Sequence, residues 1–159
     1  MLGQTNKKER IMITSSLEEY LKTIYMLKNT EKQVRVTDIS KRLNCSKPSV
    51  NRALNCLKAE GLILYEAYGD IDMTKEGINV AKSVIKRYDI LKLFLVDILG
   101  VDENVAQEEA TKMKHAISED TISKLESYII ESVGLDELNC NFDLTRNTCQ
   151  NCIRIKEKM

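Results

Sequence analysis

Apolar residues recur with the spacing of an amphipathic helix near the start of the chain. A first helix is predicted at about 16–29, because side chains three or four positions apart fall on one helix face. Ser15 or Ser16, each with a glutamate three positions later, is typical of a capping box at its start. The inward positions of this helix are Leu17, Leu21, Ile24 and Leu27.

The next elements are a short helix, a tight turn and a longer helix. Residues 34–36 are predicted to be extended, and Thr37 can cap a second helix that runs to about Leu43 with Ile39 and Leu43 inward. A turn at 44–46 leads to Pro48, which fits the first turn of a third helix because its missing N–H costs nothing there. Gly61 is the predicted C-cap. The buried stripe of the third helix is Val50, Leu54 and Leu57.

A β-hairpin is predicted directly after the third helix. The segments LILYE and IDM are joined by the turn AYGD, in which Gly69 can adopt a positive φ. Thr74 can then cap a helix at about 75–88, and helical spacing continues at 89–99, 104–116 and 119–133. Asp102 and Ser118 are the predicted caps of the last two, and Gly134 is a predicted stop. The expected fold is therefore mainly α-helical.

The composition fits one compact domain, or two small ones with a shared core: 159 residues, 43% apolar and 30% charged. No apolar run approaches the roughly 18 residues that a membrane span requires. The start MLGQTNKKER is charged and lacks the apolar core of a secretory signal, so we expect a cytoplasmic protein without a membrane partner. The five cysteines are then expected to be thiols or metal ligands rather than disulfides.

Helix, turn, helix and hairpin together form the layout of a winged helix-turn-helix. Residues 1–74 carry 12 Lys/Arg against 9 Asp/Glu, which permits a nucleic-acid surface in this part. Asn and Arg can contact base edges, whereas Lys and Ser can hold phosphates. The hairpin adds Tyr65, Tyr68 and Gly69 as a wing. Off the apolar stripe, the third helix carries Lys47, Ser49, Asn51, Arg52, Asn55 and Lys58.

Two other classes of function compete with DNA binding. The polar face of the third helix is also compatible with an ordinary solvated surface, or with a helix-turn-helix that only binds proteins. An enzyme is not expected, because the sequence has no phosphate-binding loop and no nucleophile–histidine–acid pattern, and His115 is its only histidine.

Four segments carry a family resemblance: SLEEYLKTIYML, VRVTDISKRLNCSKPSVNRALNCLKAEGLI, YGDIDMTKEG and ILGVDENVAQEEATKMKHAISEDTISKLE. They resemble the metal-dependent repressors typified by the diphtheria toxin repressor and the manganese transport regulator, in their short two-domain form. The resemblance implies a winged-helix DNA-binding domain at 1–74 and a helical domain at 75–134 that dimerises and binds metal. The polar segment 135–159, with three of the five cysteines, is expected to be a separate tail. It also implies a palindromic operator as partner. Expected DNA contacts are Ser46, Lys47, Pro48, Ser49, Asn51, Arg52 and, in the wing, Tyr68.

The metal site implied by the resemblance is largely altered in this chain. Glu19 and His115 stand at ligand positions and match the expected side-chain types. The other positions, where the family has acids, histidine or cysteine, hold Lys22, Tyr88, Thr111 and Lys114, and the ancillary positions hold Lys92 and Gln107. Two ligands cannot complete an octahedral Mn²⁺ or Fe²⁺ site, and nearby lysines would repel a dication.

One hypothesis is that Lys114, with Lys22, replaces the charge of the metal and pairs with Glu19. The alternative is that both lysines are solvated at a decayed site. A further set, Glu108 with His115 and Glu19, is also open, because Glu108 and His115 lie seven positions apart on one helix.

A second hypothesis places sensing in the tail, where Cys140, Cys149 and Cys152 have the spacing C-x8-C-x2-C. Three thiolates with a fourth ligand from His115, Asp143, Cys45 or Cys56 suit Zn²⁺, and three alone could hold an iron–sulfur cluster. This is the alternative function, a redox or metal-sensing regulator on the same scaffold. A reduced tail with reactive thiols is the other interpretation.

Two expectations concern burial. Cys45 and Cys56, which flank the turn and the third helix, are expected to be small buried apolar residues. The second half is expected to be a homodimer, because its apolar stripe exceeds what a few short helices can hide from water. That stripe is Val84, Leu91, Leu95, Ile98, Met113, Ile117, Ile122, Leu125 and Ile129.

Overall fold

The computed structural model describes residues 13–67 and 69–133, together with the backbone of two short strands further on. The described part is mainly α-helical and carries a small antiparallel hairpin, which confirms the predicted fold class. The first elements are α1 (Ser15–Thr30), α2 (Val36–Leu43), α3 (Lys47–Ala59), β1 (Ile63–Tyr65) and β2 (Ile71–Met73). They are followed by α4 (Lys75–Leu93), a π-helical turn (Phe94–Ile98), α5 (Glu103–Met113), α6 (Glu119–Val133), β3 (Phe142–Asp143) and β4 (Thr148–Cys149).

The chain divides into two compact units, Met1–Ala81 and Lys82–Met159. In the first unit, the apolar stripes of α1, α2 and α3 meet the inner face of the hairpin. The fully buried side chains of α3 are Val50, Leu54 and Leu57, as the sequence pattern predicts. The other core residues of this unit are Leu21, Ile24, Val34, Ile39, Leu62, Ile63, Ile71 and Ala81.

Capping residues set the ends of most helices where the sequence predicts them. Ser46 caps α3 and accepts a hydrogen bond from Ser49 N, with Pro48 in the first turn. Gly61 adopts φ +70° just beyond α3 and lets Leu62 N donate to Leu57 O. Three further predicted caps are confirmed: Thr74 accepts from Gly77 N, Asp102 from Asn104 N, and Ser118 from Thr121 N. Gly134, the predicted stop of the last helix, lies outside the described residues.

The caps of the first two helices differ from the prediction. The cap of α1 is Thr14 rather than Ser15 or Ser16, and its side chain accepts from Leu17 N at 3.3 Å. The cap of α2 is Arg35, whose N–H donates to the Asp38 carboxylate at 2.8 Å, so that Thr37 lies inside the helix. In both cases the helix begins one or two residues earlier. At α1 the Thr14 hydroxyl supplies the acceptor, whereas at α2 the Asp38 carboxylate reaches back to the Arg35 N–H.

The hairpin pairs Ile63 with Met73 and Tyr65 with Ile71. Ile71 N also donates to Val34 O, which ties the segment between α1 and α2 to the hairpin. The prediction for Gly69 was wrong, since this glycine does not have a positive φ. Gly69 N instead donates to Glu66 O, so Gly69 closes a turn as its fourth residue, and that position does not need a left-handed backbone.

The second unit buries a separate core on the last part of α4, the π-helical turn, α5 and α6. Its buried residues are Ile90, Leu91, Leu93, Leu95, Ala106, Ala110, Ile122 and Ile129. The predicted helix at 89–99 is not a regular α-helix, because Leu99 N donates to Phe94 O, five residues back. Gly100 then turns the chain with φ +67°.

Burial of the apolar stripe in this unit only partly follows the expectation. Val84, Leu91, Leu95, Ile122 and Ile129 are already buried in a single chain, so they do not require a partner. Solvent nevertheless reaches other large apolar side chains of this unit, namely Leu99, Val105, Met113 and Tyr128. Within the residues described, no helix is long and apolar enough to span a bilayer.

Candidate nucleic-acid interface and metal-ligand positions

The outward face of α3 carries the side chains that the sequence assigns to DNA. Lys47 and Arg52 are exposed, as are Asn55 and Lys58 nearer the end of the helix. This arrangement follows from the helical period, because the buried stripe of α3 leaves these positions on the opposite side. The structure therefore brings a basic and amide-rich surface onto one helix, as a groove-binding helix requires.

A chain of side-chain contacts organises the first two turns of α3. The hydroxyl oxygens of Ser46 and Ser49 lie 2.9 Å apart, and the Arg52 guanidinium donates to Ser49 Oγ at 3.4 Å. Ser46 also holds Ser49 N through its cap. Three of the predicted DNA contacts thus share one network, which limits the freedom of Arg52 before any DNA is bound.

Asn51 is engaged by the wing. The hydroxyl of Tyr65, the last residue of β1, donates to Asn51 Oδ1 at 3.0 Å. Both side chains are half-buried, and the Tyr65 ring packs against the core of the first unit. The sequence pattern predicted both residues at the interface but not their contact. Tyr68, the other predicted wing contact, lies outside the described residues.

A three-residue cluster anchors the wing to the rest of the first unit. Lys28 Nζ lies 3.5 Å from Asp70 Oδ2 and 3.1 Å from Asp72 Oδ1. Asp70 also accepts hydrogen bonds from Val34 N and Ile71 N. The Val34 N–H, and then the charge of Lys28, lower the pKa of the Asp70 carboxyl. Sequence analysis missed this cluster, because the partners lie about forty positions apart.

The two cysteines near α3 are less buried than expected. Cys45 is half-buried and accepts a hydrogen bond from the Tyr20 hydroxyl, with 3.6 Å between Oη and Sγ. That hydrogen bond, together with burial, raises the pKa of Tyr20 against the opposing charge of Arg52. Cys56 is exposed, so the expectation of a buried apolar residue is wrong there. It lies four residues after Arg52 and therefore shares the outward face of α3.

In the first unit, Glu19 and Lys22, two positions where the resemblance predicts metal ligands, both lie on α1. Lys22 Nζ lies 2.9 Å from Glu19 Oε2, and both side chains are partly exposed. The Lys22 ammonium thus pairs with the carboxylate that is expected to be a metal ligand.

In the second unit, Lys114 is almost completely buried, with 1% of its surface exposed. Its ammonium lies 5.8 Å from the centroid of the Tyr88 ring, the geometry of a cation–π contact. Two positions where the resemblance predicts metal ligands therefore lie together, and here they hold an ammonium and an aromatic ring. His115 is exposed and lies beyond α5, which ends at Met113, so the expectation that Glu108 and His115 share one helix is wrong.

Other altered positions also have contacts of their own. Lys92 Nζ lies 3.2 Å from the Glu103 carboxylate, and the Thr111 hydroxyl donates to Gln107 O at 2.8 Å. Arg87, which sequence analysis missed, donates to Lys114 O at 3.0 Å. Little in the sequence indicated a role for Arg87, which is only an arginine at helical spacing between Val84 and Leu91.

Two further sets of metal ligands were predicted, one around Glu108 and one in the tail. Glu108 Oε1 lies 2.6 Å from Lys112 Nζ, one helical turn on, and both side chains are well exposed. Among the residues that the structure describes, no group of three His, Cys, Asp or Glu side chains could hold a metal ion. The tail ligands Cys140, Cys149 and Cys152, with Asp143, have side chains outside the described residues.

Two family models match nearly the whole described part of the chain. Residues 12–71 match the N-terminal DNA-binding domain of the iron dependent repressors, and residues 74–131 match the metal binding and dimerisation domain of the same family. The chain belongs to the iron dependent repressor family. This family consists of transcriptional repressors, so the expected DNA-binding regulator with a winged helix is confirmed, and an enzyme is excluded.

Relatives of the chain agree with this assignment. An uncharacterized HTH-type transcriptional regulator of Methanocaldococcus jannaschii is 34% identical over 118 residues, covering 74% of this chain and 94% of the relative. The HTH-type transcriptional regulator MntR of Bacillus subtilis (strain 168) is 31% identical over 114 residues, covering 72% of this chain and 80% of the relative.

The structure of the manganese regulator SloR superimposes with a TM-score of 0.65 at 25% identity. The match covers 76% of this chain and only 56% of SloR, so this chain spans little more than half of that regulator.

Proposed function

We propose that this member of the iron dependent repressors binds a palindromic DNA operator as a homodimer, and that it does so without a metal ion. The buried Lys114 ammonium over the Tyr88 ring carries this proposal, because a positive charge stands where the family resemblance predicts a metal ligand. The DNA contacts proposed are Ser46, Lys47, Pro48, Ser49, Asn51 and Arg52.

The homodimer is supported by the match to a dimerisation domain and by exposed apolar side chains in the same unit. Twofold symmetry would place two copies of α3 in adjacent major grooves, about one helical turn of DNA apart. Light scattering coupled to size exclusion would test this point, since a monomer at working concentrations contradicts it.

The family's metal positions do not suit Mn²⁺, Fe²⁺ or Zn²⁺ in this chain. Lys22 neutralises Glu19, and a lysine and a tyrosine replace two ligands in the second unit. Two unit charges 4 Å apart at an effective dielectric constant of about 20 interact by roughly 4 kcal/mol, and a dication doubles that repulsion. The burial of Lys114 also argues against a solvated lysine at a decayed site, because an ammonium is rarely buried without favourable contacts.

The experiment measures operator affinity with and without metal. Duplexes selected from a randomised pool by the wild-type protein serve as probes, and fluorescence anisotropy gives Kd in chelator and in Mn²⁺, Fe²⁺ or Zn²⁺. We expect the same Kd in all four conditions. A loss of ten-fold or more in chelator, restored by one of the metals, would refute metal independence.

A variant set tests the role of the lysines directly. Replacing Lys22→Glu, Tyr88→His and Lys114→Glu together restores the side-chain types that the resemblance predicts at three of the four altered positions, and we expect operator binding to become sensitive to chelator. Lys124→Glu is the matched control, because Lys124 is an exposed lysine of α6 paired only one turn away with Asp120. If the triple variant folds and still binds equally well in chelator and metal, the lysines do not substitute for a metal.

A further inference from the structure

We infer that Tyr65 of the wing is a positioning residue that fixes the Asn51 amide and thereby sets which base edge Asn51 can read. The inference rests on the proposed function, since it requires α3 to lie in the major groove. It assigns a specificity role to a residue that lies on a different element from the reading helix.

The contact is well placed for this role. Tyr65 ends β1 and is paired with Ile71, so the hairpin fixes its backbone. Its half-buried ring packs against the core, and its hydroxyl donates to Asn51 Oδ1 at 3.0 Å. Asn51 lies in the second turn of α3, between the exposed Lys47 and Lys58. A rigid donor therefore holds the amide from the wing side.

The chemical consequence follows from how asparagine reads bases. Bidentate recognition of adenine needs Oδ1 to accept from the N6 amino group while Nδ2 donates to N7. In this protein the Tyr65 hydroxyl already occupies one acceptor site of Oδ1. Oδ1 has two acceptor sites, and bidentate pairing uses the one on the Nδ2 side. On this inference the Tyr65 hydroxyl holds that site, so Nδ2 is the group that remains to donate to DNA.

Asn51 should then act as a donor to purine N7, an acceptor that adenine and guanine share in the major groove. The wild-type protein is expected to accept either purine at the base pair that Asn51 contacts. Removing the Tyr65 hydroxyl would free Oδ1, and the amide could then select adenine through both of its groups. Tyr65→Phe is thus expected to narrow the specificity rather than abolish binding.

The test compares the sequences that each variant selects from a randomised duplex pool. The proteins are wild type, Tyr65→Phe, Asn51→Ala and the double variant, with Tyr25→Phe as the matched control because Tyr25 is also half-buried on the core of the same unit. The position that loses its preference in Asn51→Ala identifies the base pair read by Asn51. Anisotropy on duplexes with adenine, guanine or 7-deazaadenine at that position then gives relative affinities.

The expected result has three parts. Wild type binds the adenine and guanine duplexes within about two-fold of each other and loses affinity for 7-deazaadenine, whereas Tyr65→Phe prefers adenine to guanine by on the order of 2- to 10-fold, the value of one hydrogen bond. Tyr25→Phe behaves as wild type. The double variant shows the same base preference as Asn51→Ala, because Tyr65 acts through Asn51.

Two results would overturn the inference. If wild type and Tyr65→Phe select the same base at that position, with equal adenine-to-guanine ratios, Tyr65 does not control Asn51. If wild type enriches no sequence from the pool, the proposed DNA-reading function itself fails, and the inference fails with it. The two failures are distinguishable, because in the first the wild-type protein still selects a defined operator.

Discussion

Gly77→Ala is expected to destabilise the first unit, although alanine is normally the better helix residue. Gly77 lies in the first turn of α4, where the helix passes directly over the start of the hairpin. A Cβ added at this position would lie 1.9 Å from Leu62 O and 2.9 Å from Leu62 C. Ordinary contact would require a separation at least about 1.5 Å larger.

The Leu62 carbonyl cannot easily move away from such a Cβ. Leu62 O accepts from Thr74 N at 3.1 Å, and the Leu62 side chain is fully buried. Overpacking of this kind costs about 1–3 kcal/mol, and loosening of the cap at Thr74 costs about 1 kcal/mol more. Alanine regains about 1 kcal/mol of helix propensity. The net loss is therefore about 1–3 kcal/mol in the free energy of unfolding.

Urea unfolding followed by circular dichroism measures this loss as a lower midpoint at an unchanged slope. Asn79→Ala is the matched control, since Asn79 is exposed two residues further along the same helix. There we expect no loss, and a gain of up to about 0.5 kcal/mol from helix propensity. A Gly77→Ala midpoint equal to that of the wild-type protein would refute the reasoning from close approach.

Two further predictions concern the interface. Ser46→Asp keeps an acceptor for Ser49 N, so stability in urea should stay within about 0.5 kcal/mol of wild type, while the added negative charge should weaken operator binding by on the order of ten-fold. An unchanged Kd in fluorescence anisotropy would contradict the expectation that Ser46 lies beside a DNA phosphate in the complex. For Asp70→Asn, the sign follows from the lowered pKa of Asp70, which Val34 N–H and then Lys28 cause. The carboxylate stabilises the fold above the ordinary carboxyl pKa, and this stabilisation is lost as the pH falls through the lowered one. The variant should therefore unfold at lower urea than wild type at pH 7, and the gap should close in acid; a pH-independent gap would contradict this cause.

Local chemistry explains why much of the fold was predictable from the sequence. Pro48 and Gly61 bracket α3, and the stripe between them is apolar at every inward position. Where several neighbours could do the same task, the sequence did not decide between them. Thr14, Ser15 and Ser16 can all cap a helix, and the choice of Thr14 depends on the backbone that precedes α1.

The candidate site was predictable as a set of side chains but not as a set of contacts. The outward positions of α3 follow from the helical period alone. The same period places Cys56 on the outward face, but cysteine is usually buried, and the prediction followed that tendency instead. The Tyr65–Asn51 bond and the Lys28 cluster depend on how the hairpin packs, and no spacing in the sequence encodes that. Lysine is normally an exposed residue, so the burial of Lys114 could be seen only in the folded structure.

Under the proposed function, the replacement of metal ligands by lysine changes what the repressor can sense. A metal ion that can dissociate changes the affinity of a repressor for DNA according to the metal concentration. A group whose concentration cannot vary provides no such control. A lysine side chain is present in every chain at every metal concentration. It can therefore stabilise the DNA-binding form, but it cannot make operator binding depend on the metal concentration in the cell. Control of this repressor must then act through a different group, or through the amount of protein. An operator affinity that does not respond to metal but does respond to thiol oxidation would place that control on the cysteines.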